Sequence, residues 1–198
     1  MINECVLEEI GAKKVCFEKN EIIFKQGENA RYYFQIETGA VKMNNFNDEG
    51  KEFIQGIFVE KNSFGEPPLF INDNYPANAV ALVKTTLFLL TKEKFLDLLM
   101  QQPNIHFDIT TTLAKRLYFK TIMASEISSQ DPEHRIIKLI DHLKLKVNKI
   151  PKELAYKVDF TRQQIADLTG LRVETVIRAI KSLEKKGEIS IKNHKVFR

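Results

Sequence analysis

Short apolar runs alternate with polar turns over the first half of the chain. Between about residues 13 and 90 the runs read "KVCFE", "EIIFK", "YYFQIE", "AVKMNNF", "EFIQGIF" and "TTLFLL". Turn signals rich in Gly, Asn and Pro separate them, such as "QGEN", "NDEG" and "NDNYP". Many short strands joined by such turns are typical of an antiparallel sandwich or barrel-like roll. The pattern therefore predicts an antiparallel β-roll in the N-terminal half.

Helical periodicity follows the predicted strands. Thr91 can cap a helix over "KEKFLDLLM", and the chain after Pro103 runs to about residue 128 without Pro or Gly. Apolar residues fall near one side of this long helix at Ile109, Leu113, Leu117 and Met123. That side can pack against the roll of the same chain or against a second copy of the protein, and the pattern leaves both interpretations open.

The segment "SSQDPEH" marks a break and a restart. Asp131 can serve as an N-cap with Pro132 at the first helical position, a combination that starts a new helix. We therefore expect an α+β protein in three segments. These are a roll at residues 1–102, a long helix with a hinge at 103–130, and a helical domain at 131–198.

The C-terminal segment has the plan of a helix-turn-helix. Thr161 followed by Gln164 is a capping box that opens the helix "RQQIADL", in which Ile165 and Leu168 face inward. Gly170 can take the left-handed conformation of the tight turn that follows. Helix, tight turn and helix together form the motif that places its second helix in the DNA major groove.

The second helix runs from about Arg172 to Lys186 and stops at Gly187. Its predicted buried stripe is Val176, Ala179, Ile180 and Leu183. Glu174, Arg178 and Lys181 project on the opposite side. The closing stretch "EISIKNHKVFR" alternates like a two-stranded hairpin, which predicts a winged version of the motif.

The exposed face of the second helix has two interpretations. Glu174 and Arg178 lie four residues apart, so they could form a surface ion pair worth about 0.3–0.5 kcal/mol. Val173 and Ile177 are apolar, yet they flank this face where a solvated helix would carry polar residues. In a major groove Arg can bind guanine, Glu can accept from cytosine, and Val can contact a thymine methyl. We favour the interpretation that this face contacts the bases of DNA.

Charge is divided unevenly along the chain. Net charge is +4 overall, but residues 134–198 hold 16 Lys and Arg against 7 Asp and Glu, a net charge of +9. The remaining residues hold 14 against 19, a net charge of −5. A basic surface can simply be solvated, but such a split is also a sign of a nucleic-acid-binding segment joined to another domain.

Composition argues against a membrane protein, a secreted protein and a disulfide-stabilised protein. No run of about 18 apolar residues occurs, and the N-terminus lacks the pattern of a signal peptide, so we expect a cytoplasmic protein with no membrane contact. Cys5 and Cys16 are too few for a disulfide framework and lack the clustering of a metal site. We expect them to be buried or idle thiols.

The stretch "TRQQIADLTGLRVETVIRAIKSLEKKGEI" resembles the DNA-binding helices of the CRP/FNR superfamily of bacterial transcription regulators. Upstream, "FKQGENARYYFQIETGAVKM", "NDEGKEF", "FGEPPLF" and "LAKRLYFKTIMASEI" agree with the family in order and spacing. The resemblance covers nearly the whole chain. It implies a β-roll of the double-stranded β-helix type, a long dimerisation helix and a winged helix-turn-helix. It also implies a homodimer on double-stranded DNA, with RNA polymerase as a candidate partner.

By position, Glu174 and Arg178 match the base-reading Glu and Arg of the family. Val173 matches the valine of FNR-like members, whereas Ile177 departs from the serine found in FNR. These matches imply an operator half-site with a TGA core. The candidate DNA contacts are Thr161, Arg162, Gln163, Arg172, Val173, Glu174, Thr175, Ile177, Arg178 and Lys181.

Family members that bind cyclic AMP hold its ribose with a Gly-Glu pair and its phosphate with an Arg-Ser pair some ten residues later. Gly65 and Glu66 match the first pair, but Pro76 and Ala77 stand where Arg and Ser belong. Asn78 is at best a neutral substitute. The resemblance therefore implies a regulator that does not respond to cyclic AMP.

An unidentified small-molecule effector with an atypical pocket is the alternative. On the long helix, Lys120 and Thr121 correspond to the adenine-contacting Thr-Ser pair of the family. The candidate ligand contacts are Gly65, Glu66, Ala77, Asn78, Lys120 and Thr121. Gly65 and Glu66 can instead form a plain turn with a satisfied carboxylate.

An enzymatic function is not expected. Cupin barrels resemble β-rolls and hold metals through two His and a carboxylate, but all four His lie outside the roll, at 106, 134, 142 and 194. An oxygen-sensing cluster of the FNR type needs four thiolates, and the chain has two. We therefore expect neither a metal nor another cofactor.

Overall fold

The computed structural model describes residues 1–129, 131–147, 150 and 154–198, which form two compact units, Met1–Lys115 and Arg116–Arg198. Each unit has its own hydrophobic core, and helices and antiparallel sheets confirm the α+β fold class. Residue 130, the end of the expected hinge, lies outside the described residues. The three-segment division stays a prediction.

The first unit is an antiparallel roll. It contains α1 (Glu4–Glu9), β1 (Lys13–Phe17), β2 (Ile22–Phe24), β3 (Tyr32–Thr38), β4 (Ala40–Phe46), β5 (Glu52–Val59), β6 (Ser63–Phe64), α2 (Pro67–Ile71), β7 (Asn78–Ala81) and β8 (Thr85–Thr91). The strands form two four-stranded sheets in the orders β1-β8-β3-β6 and β2-β7-β4-β5. The predicted roll is confirmed, although the sequence pattern did not predict α1, α2, β6 or β7.

Glycine is required where β3 turns into β4. Gly39 has a φ of 95°, and a Cβ there would lie 2.7 Å from the Lys84 carbonyl oxygen and 2.8 Å from the Thr85 Cα. Only a residue without a side chain fits so close to this backbone. The turn leads from β3 in one sheet to β4 in the other, and the Ala40 N–H donates to the Thr85 hydroxyl at 3.2 Å.

Two helices follow the roll, α3 (Lys92–Gln101) and α4 (Pro103–Ser129). Thr91 caps α3 as predicted, since its hydroxyl accepts a hydrogen bond from the Lys94 backbone N–H at 3.5 Å. The long helix is confirmed, but its apolar residues have different surroundings.

The apolar side chains of α4 do not share one partner. Ile109 is buried in the core of the first unit and Leu113 packs against that core. Met123 belongs to the core of the second unit. Leu117 is 68% exposed. Packing against the chain itself therefore explains Ile109, Leu113 and Met123 but leaves Leu117 without a buried environment.

The second unit holds the helix-turn-helix and the wing. It contains α5 (Pro132–Asp141), a π-helical segment (His142–Val147), β9 (Lys157–Val158), α6 (Arg162–Thr169), α7 (Val173–Lys185), β10 (Ser190–Lys192) and β11 (Lys195–Phe197). Asp131 caps α5 as predicted, because its carboxylate accepts from the Glu133 N–H at 2.9 Å. The predicted hairpin is confirmed, and β9, which was not predicted, pairs with β11 as a third strand.

A two-residue turn joins the strands of the wing. Lys192 pairs with Lys195, so Asn193 and His194 form the loop, with φ values of 47° and 61°. Two positive φ values define a type I′ turn, whose twist matches that of the flanking strands.

Cys5 and Cys16 are free and exposed, which contradicts the first of the two alternatives, buried thiols. The second alternative, idle thiols, stays a prediction. Among the helices that the structure describes, none combines the length and the apolar character needed to cross a bilayer.

Candidate functional site

The capping box of α6 is present as predicted. The Thr161 hydroxyl accepts from the Gln164 backbone N–H at 3.0 Å, and the Gln164 side chain accepts from the Thr161 N–H at 2.9 Å. The helix ends at Gly170 with a φ of 69°. These two local devices define where α6 begins and where the chain turns towards α7.

Buried polar groups join α6 to α5 at one point and form two further hydrogen bonds within α6. The Arg135 guanidinium donates to the Thr169 carbonyl at 3.0 Å, and the Thr169 hydroxyl donates to the Ile165 carbonyl at 2.6 Å. Asp167, also buried, accepts from the Gln163 side chain at 2.8 Å. The sequence reasoning missed Arg135 and Asp167. Their charges at otherwise apolar helical positions are the one signal that could have found them.

The exposed face of α7 carries unpaired charges. Val176, Ala179, Ile180 and Leu183 are buried as predicted, which leaves Glu174, Arg178 and Lys181 on the exposed side. Within the described part of the chain, neither Glu174 nor Arg178 takes part in an ion pair or a side-chain hydrogen bond. The surface ion pair that the sequence allowed is therefore not formed, and both groups are available to a partner.

Val173 and Ile177, the apolar neighbours of this face, differ in exposure. Ile177 is 39% exposed, in agreement with the sequence analysis. Val173 is half-buried and packs against the core of the second unit, so its placement away from the buried side was wrong. Val173 is the first residue of α7, and the core cluster against which it packs includes Ile165 and Ala166 of α6. Thr175 is half-buried and Arg172 is exposed.

A cleft of about 490 Å³ lies between α7, the start of α6 and the wing. Its lining residues are Val158, Phe160, Thr161, Arg162, Ile177, Ile180, Lys181, Ile191, His194 and Lys195. The cleft brings together four of the candidate DNA contacts, Thr161, Arg162, Ile177 and Lys181. The other six do not line it, and the wing residues His194 and Lys195 were not among the candidates.

Arg162 places a guanidinium in this cleft. It is half-buried, and burial lowers the pKa of its guanidinium, while Glu184 nearby acts in the opposite direction with a smaller effect. Within the described residues its guanidinium has no hydrogen bond or ion pair. A cation removed from water without a direct counter-ion favours an incoming anion.

Two of the candidate ligand residues, Gly65 and Glu66, make contacts within the roll itself. Glu66 is buried, and its carboxylate accepts a hydrogen bond from the Ser63 hydroxyl. Gly65 has a φ of 75°, and a Cβ there would lie 3.3 Å from the rings of Phe24 and Tyr75. These two rings stack with their centroids 3.7 Å apart. Gly65 and Glu66 thus form a turn with a hydrogen-bonded carboxylate beside an aromatic cluster.

Ala77 and Asn78, the other candidate ligand residues of the roll, also have structural surroundings of their own. Ala77 is fully buried. The Asn78 amide accepts from the Gln26 N–H at 3.0 Å and donates to the Asn44 carbonyl at 3.2 Å. In the second unit Lys120 is exposed, and so is Thr121, whose hydroxyl donates to the carbonyl of Leu117 at 3.0 Å.

An exposed stripe runs along α4. Its members are Phe107, Thr110, Ala114, Leu117, Thr121 and Ala124, all exposed, and we call them the α4 stripe. Their spacing alternates between three and four residues, which is the a/d pattern of a two-helix seam. Large apolar side chains such as Phe107, 71% exposed, are unusual on a helix with no partner.

Comparisons with known proteins match both parts of the chain. A cyclic nucleotide-binding domain model matches residues 14–102, and a Crp-like helix-turn-helix domain model matches residues 134–197. The cAMP-activated global transcriptional regulator CRP of Haemophilus influenzae is 29% identical over 160 residues, 80% of this chain and 71% of that protein. The transcriptional activator protein anr of Pseudomonas aeruginosa is 24% identical over 191 residues, 96% and 78% of the respective chains.

Solved structures share the fold. The c-di-GMP responsive global regulator CLP of Xanthomonas campestris superposes with a TM-score of 0.78 over 98% of both chains, at 22% identity.

Proposed function

Because the chain belongs to the CRP/FNR family of transcription regulators, we propose that it binds a roughly palindromic operator as a homodimer, with α7 reading the bases. The matched relatives are transcription regulators, and the chain is a regulator and not an enzyme. Such a function requires the protein to share a compartment with DNA, in agreement with the expected cytoplasmic location, and it would meet RNA polymerase there.

The observation that carries this proposal is the exposure of Arg178 and Glu174 without a pairing partner within the described residues. Both project from the exposed face of α7, and neither is paired within the described residues. A guanidinium in the major groove donates two parallel hydrogen bonds to guanine, and a carboxylate accepts from the amino group of cytosine. These pairings support a half-site with a TGA core, and exposed Ile177 would add a contact with a thymine methyl.

The start of α6 supplies contacts of another kind. Thr161 and Gln163 are exposed beside the first free backbone N–H groups of the helix, and Arg162 lies next to them. Groups at this end of a helix suit phosphate oxygens, since N–H groups and the helix dipole both favour an anion. We assign these three residues, with Arg172 and Lys181, to the DNA backbone. Asp167 orients Gln163 for that contact through their hydrogen bond.

A palindromic operator needs a twofold protein. The α4 stripe supports a homodimer, because its a/d spacing would pair with the same stripe of a second copy. Two copies of α7 related by the twofold would enter successive major grooves about 34–36 Å apart. The half-sites should therefore be centred about one helical turn from each other.

The effector of this regulator is not expected to be cyclic AMP. A buried phosphodiester keeps its charge, and burying that charge costs several kcal/mol unless a cation pairs with it. Residues 65–83 contain no Lys or Arg that could do so. Pro76 and Ala77 supply neither of the side-chain donors of an Arg-Ser pair. Glu66 and Asn78 already have partners in the roll. The alternative is another anion or an apolar effector.

Selection of DNA sequences from a random pool tests the proposal. The wild-type protein should enrich an inverted repeat with half-sites about 10 base pairs apart. Arg178→Ala should lose about 1–3 kcal/mol on the selected operator and relax specificity at one guanine.

Lys185→Ala is the matched control, because it removes one exposed cation from the last turn of the same helix. It should change affinity much less and equally on all sequences. Selection that returns no inverted repeat, or Arg178→Ala binding as tightly and selectively as wild type, would show that α7 does not read bases in this way.

A further inference from the structure

The cleft beside α7 has an apolar floor. Val158 and Ile180 are buried at its base, while Phe160, Ile177 and Ile191 leave apolar surface facing the cleft. Its volume of about 490 Å³ falls within the roughly 300–1,000 Å³ of cavities that hold small organic molecules. The floor alone would therefore suit an apolar group of moderate size.

The rim of the same cleft is basic. Arg162, Lys181 and Lys195 line it together with His194, and no Asp or Glu is among its lining residues. Arg162 is half-buried without a direct partner in the described residues, as noted above. A ligand for this cleft should thus combine a negative charge with an apolar body.

We propose that this cleft binds an organic anion, a carboxylate or a phosphate attached to an aromatic or acyl group. The anionic head contacts Arg162 and Lys181, and the apolar body lies on Phe160 and Ile191. A DNA phosphate satisfies the cations but leaves the apolar surface of Phe160 and Ile191 uncovered, because a phosphate group is polar.

Binding in the cleft should compete with DNA, a consequence that rests on the proposed function. Thr161, Arg162, Ile177 and Lys181 line the cleft and also belong to the candidate DNA contacts. An anion seated on Arg162 and Lys181 occupies groups that the DNA backbone needs. The ligand would therefore release the regulator from its operator, independently of any effector in the roll.

Calorimetric titration of the full chain without DNA tests the site. The probe is 2-naphthoate, with 2-naphthamide as its uncharged analogue and inorganic phosphate as a charge without an apolar body. We expect one 2-naphthoate per chain, bound at least about tenfold more tightly than either comparison compound. No binding of 2-naphthoate up to millimolar concentration, or equal binding of 2-naphthamide, would overturn the proposal.

Two variants and a control locate the bound probe. Arg162→Gln should weaken 2-naphthoate about tenfold, and Ile191→Thr should weaken it while keeping a β-branched residue in β10. Lys185→Gln removes an equal charge outside the cleft and should leave probe binding unchanged. Wild-type affinity in Arg162→Gln, with circular dichroism showing all variants folded, would contradict the assignment.

A DNA competition experiment separates this inference from the proposed function. On the selected operator, 2-naphthoate should raise the apparent Kd in proportion to occupancy of the cleft. If the probe binds through Arg162 but leaves operator affinity unchanged, the overlap of the two surfaces is refuted. If the probe binds through Arg162 and the protein selects no operator, the cleft assignment stands and the proposed DNA reading fails.

Discussion

Replacing Leu117 with Ser should weaken self-association of the protein. Leu117 lies at the centre of the α4 stripe and is 68% exposed in the single chain, so it has apolar surface to lose on dimerisation. Ser fits the same position of the helix but contributes almost no apolar surface. The substitution therefore removes dimer contacts without opening a cavity in either core.

The size of the effect follows from the exposed fraction. Fully burying a Leu side chain is worth roughly 1.5–3 kcal/mol, so burying the exposed two-thirds is worth roughly 1–2 kcal/mol. A twofold interface contains Leu117 twice, which doubles the loss to roughly 2–4 kcal/mol. The dissociation constant of the dimer should rise roughly 30- to 700-fold.

Sedimentation equilibrium over a range of protein concentrations measures this constant. The matched control is Met100→Ser on α3, which removes a side chain that is 72% exposed and lies outside the α4 stripe. That variant should associate like the wild type. The reasoning is refuted if Leu117→Ser dimerises as tightly as wild type, or if wild-type protein is monomeric at micromolar concentration on its operator.

Three further outcomes are expected. Cyclic AMP should not bind at micromolar concentration in calorimetry. Pro76→Arg combined with Ala77→Ser should raise the affinity for cyclic AMP, because the Arg adds charge-assisted donors and the Ser adds a hydroxyl donor. Micromolar binding of cyclic AMP by the wild type that also tightens operator binding would contradict this. Thr161→Ala should lower the free energy of unfolding by about 0.5–2 kcal/mol, because α6 loses its N-cap, and urea denaturation would disagree if the midpoint did not move. Glu133→Gln should destabilise slightly at neutral pH. Hydrogen bonds from Lys186 and Ser182 lower the pKa of Glu133 from its ordinary value, so its contribution is present above the unfolded-state pKa and disappears as the pH falls through the folded-state pKa. A difference in urea midpoint that does not shrink as the pH falls would contradict this origin.

The helix-turn-helix could be predicted because its signals are local. Thr161 and Gln164 cap each other within one turn, and Gly170 meets a local need for positive φ. The buried stripe of α7 follows from helical periodicity alone. Such features depend on a few neighbouring residues, so they can be identified in the sequence before any long-range contact is known.

The unpredicted strands depend on distant partners. The two residues of β9, Lys157 and Val158, are a strand because they pair with Phe197 and Val196, about 40 residues away in the chain. Likewise β6 has two residues and exists through its pairing with Phe34 and Gln35. Segments this short have no periodicity of their own, so no pattern in the sequence could identify them.

Periodicity also gives the direction of a side chain but not its neighbour. Leu113 and Leu117 lie one turn apart on α4, yet one packs against the roll and the other is exposed. The sequence left the role of Glu66 open in the same way. The partner of Glu66 was nevertheless within local reach, because Ser63 lies three residues before it.

The turn of the wing shows a conflict between stability and chemistry. His194 adopts a positive φ that glycine would adopt without strain, at a cost of roughly 1 kcal/mol. A designer seeking a thermostable variant would place glycine there, since Asn-Gly is the preferred sequence of this turn. That change would also delete a side chain from the rim of the basic cleft. Selection for heat resistance and selection for ligand affinity should therefore favour different residues at position 194.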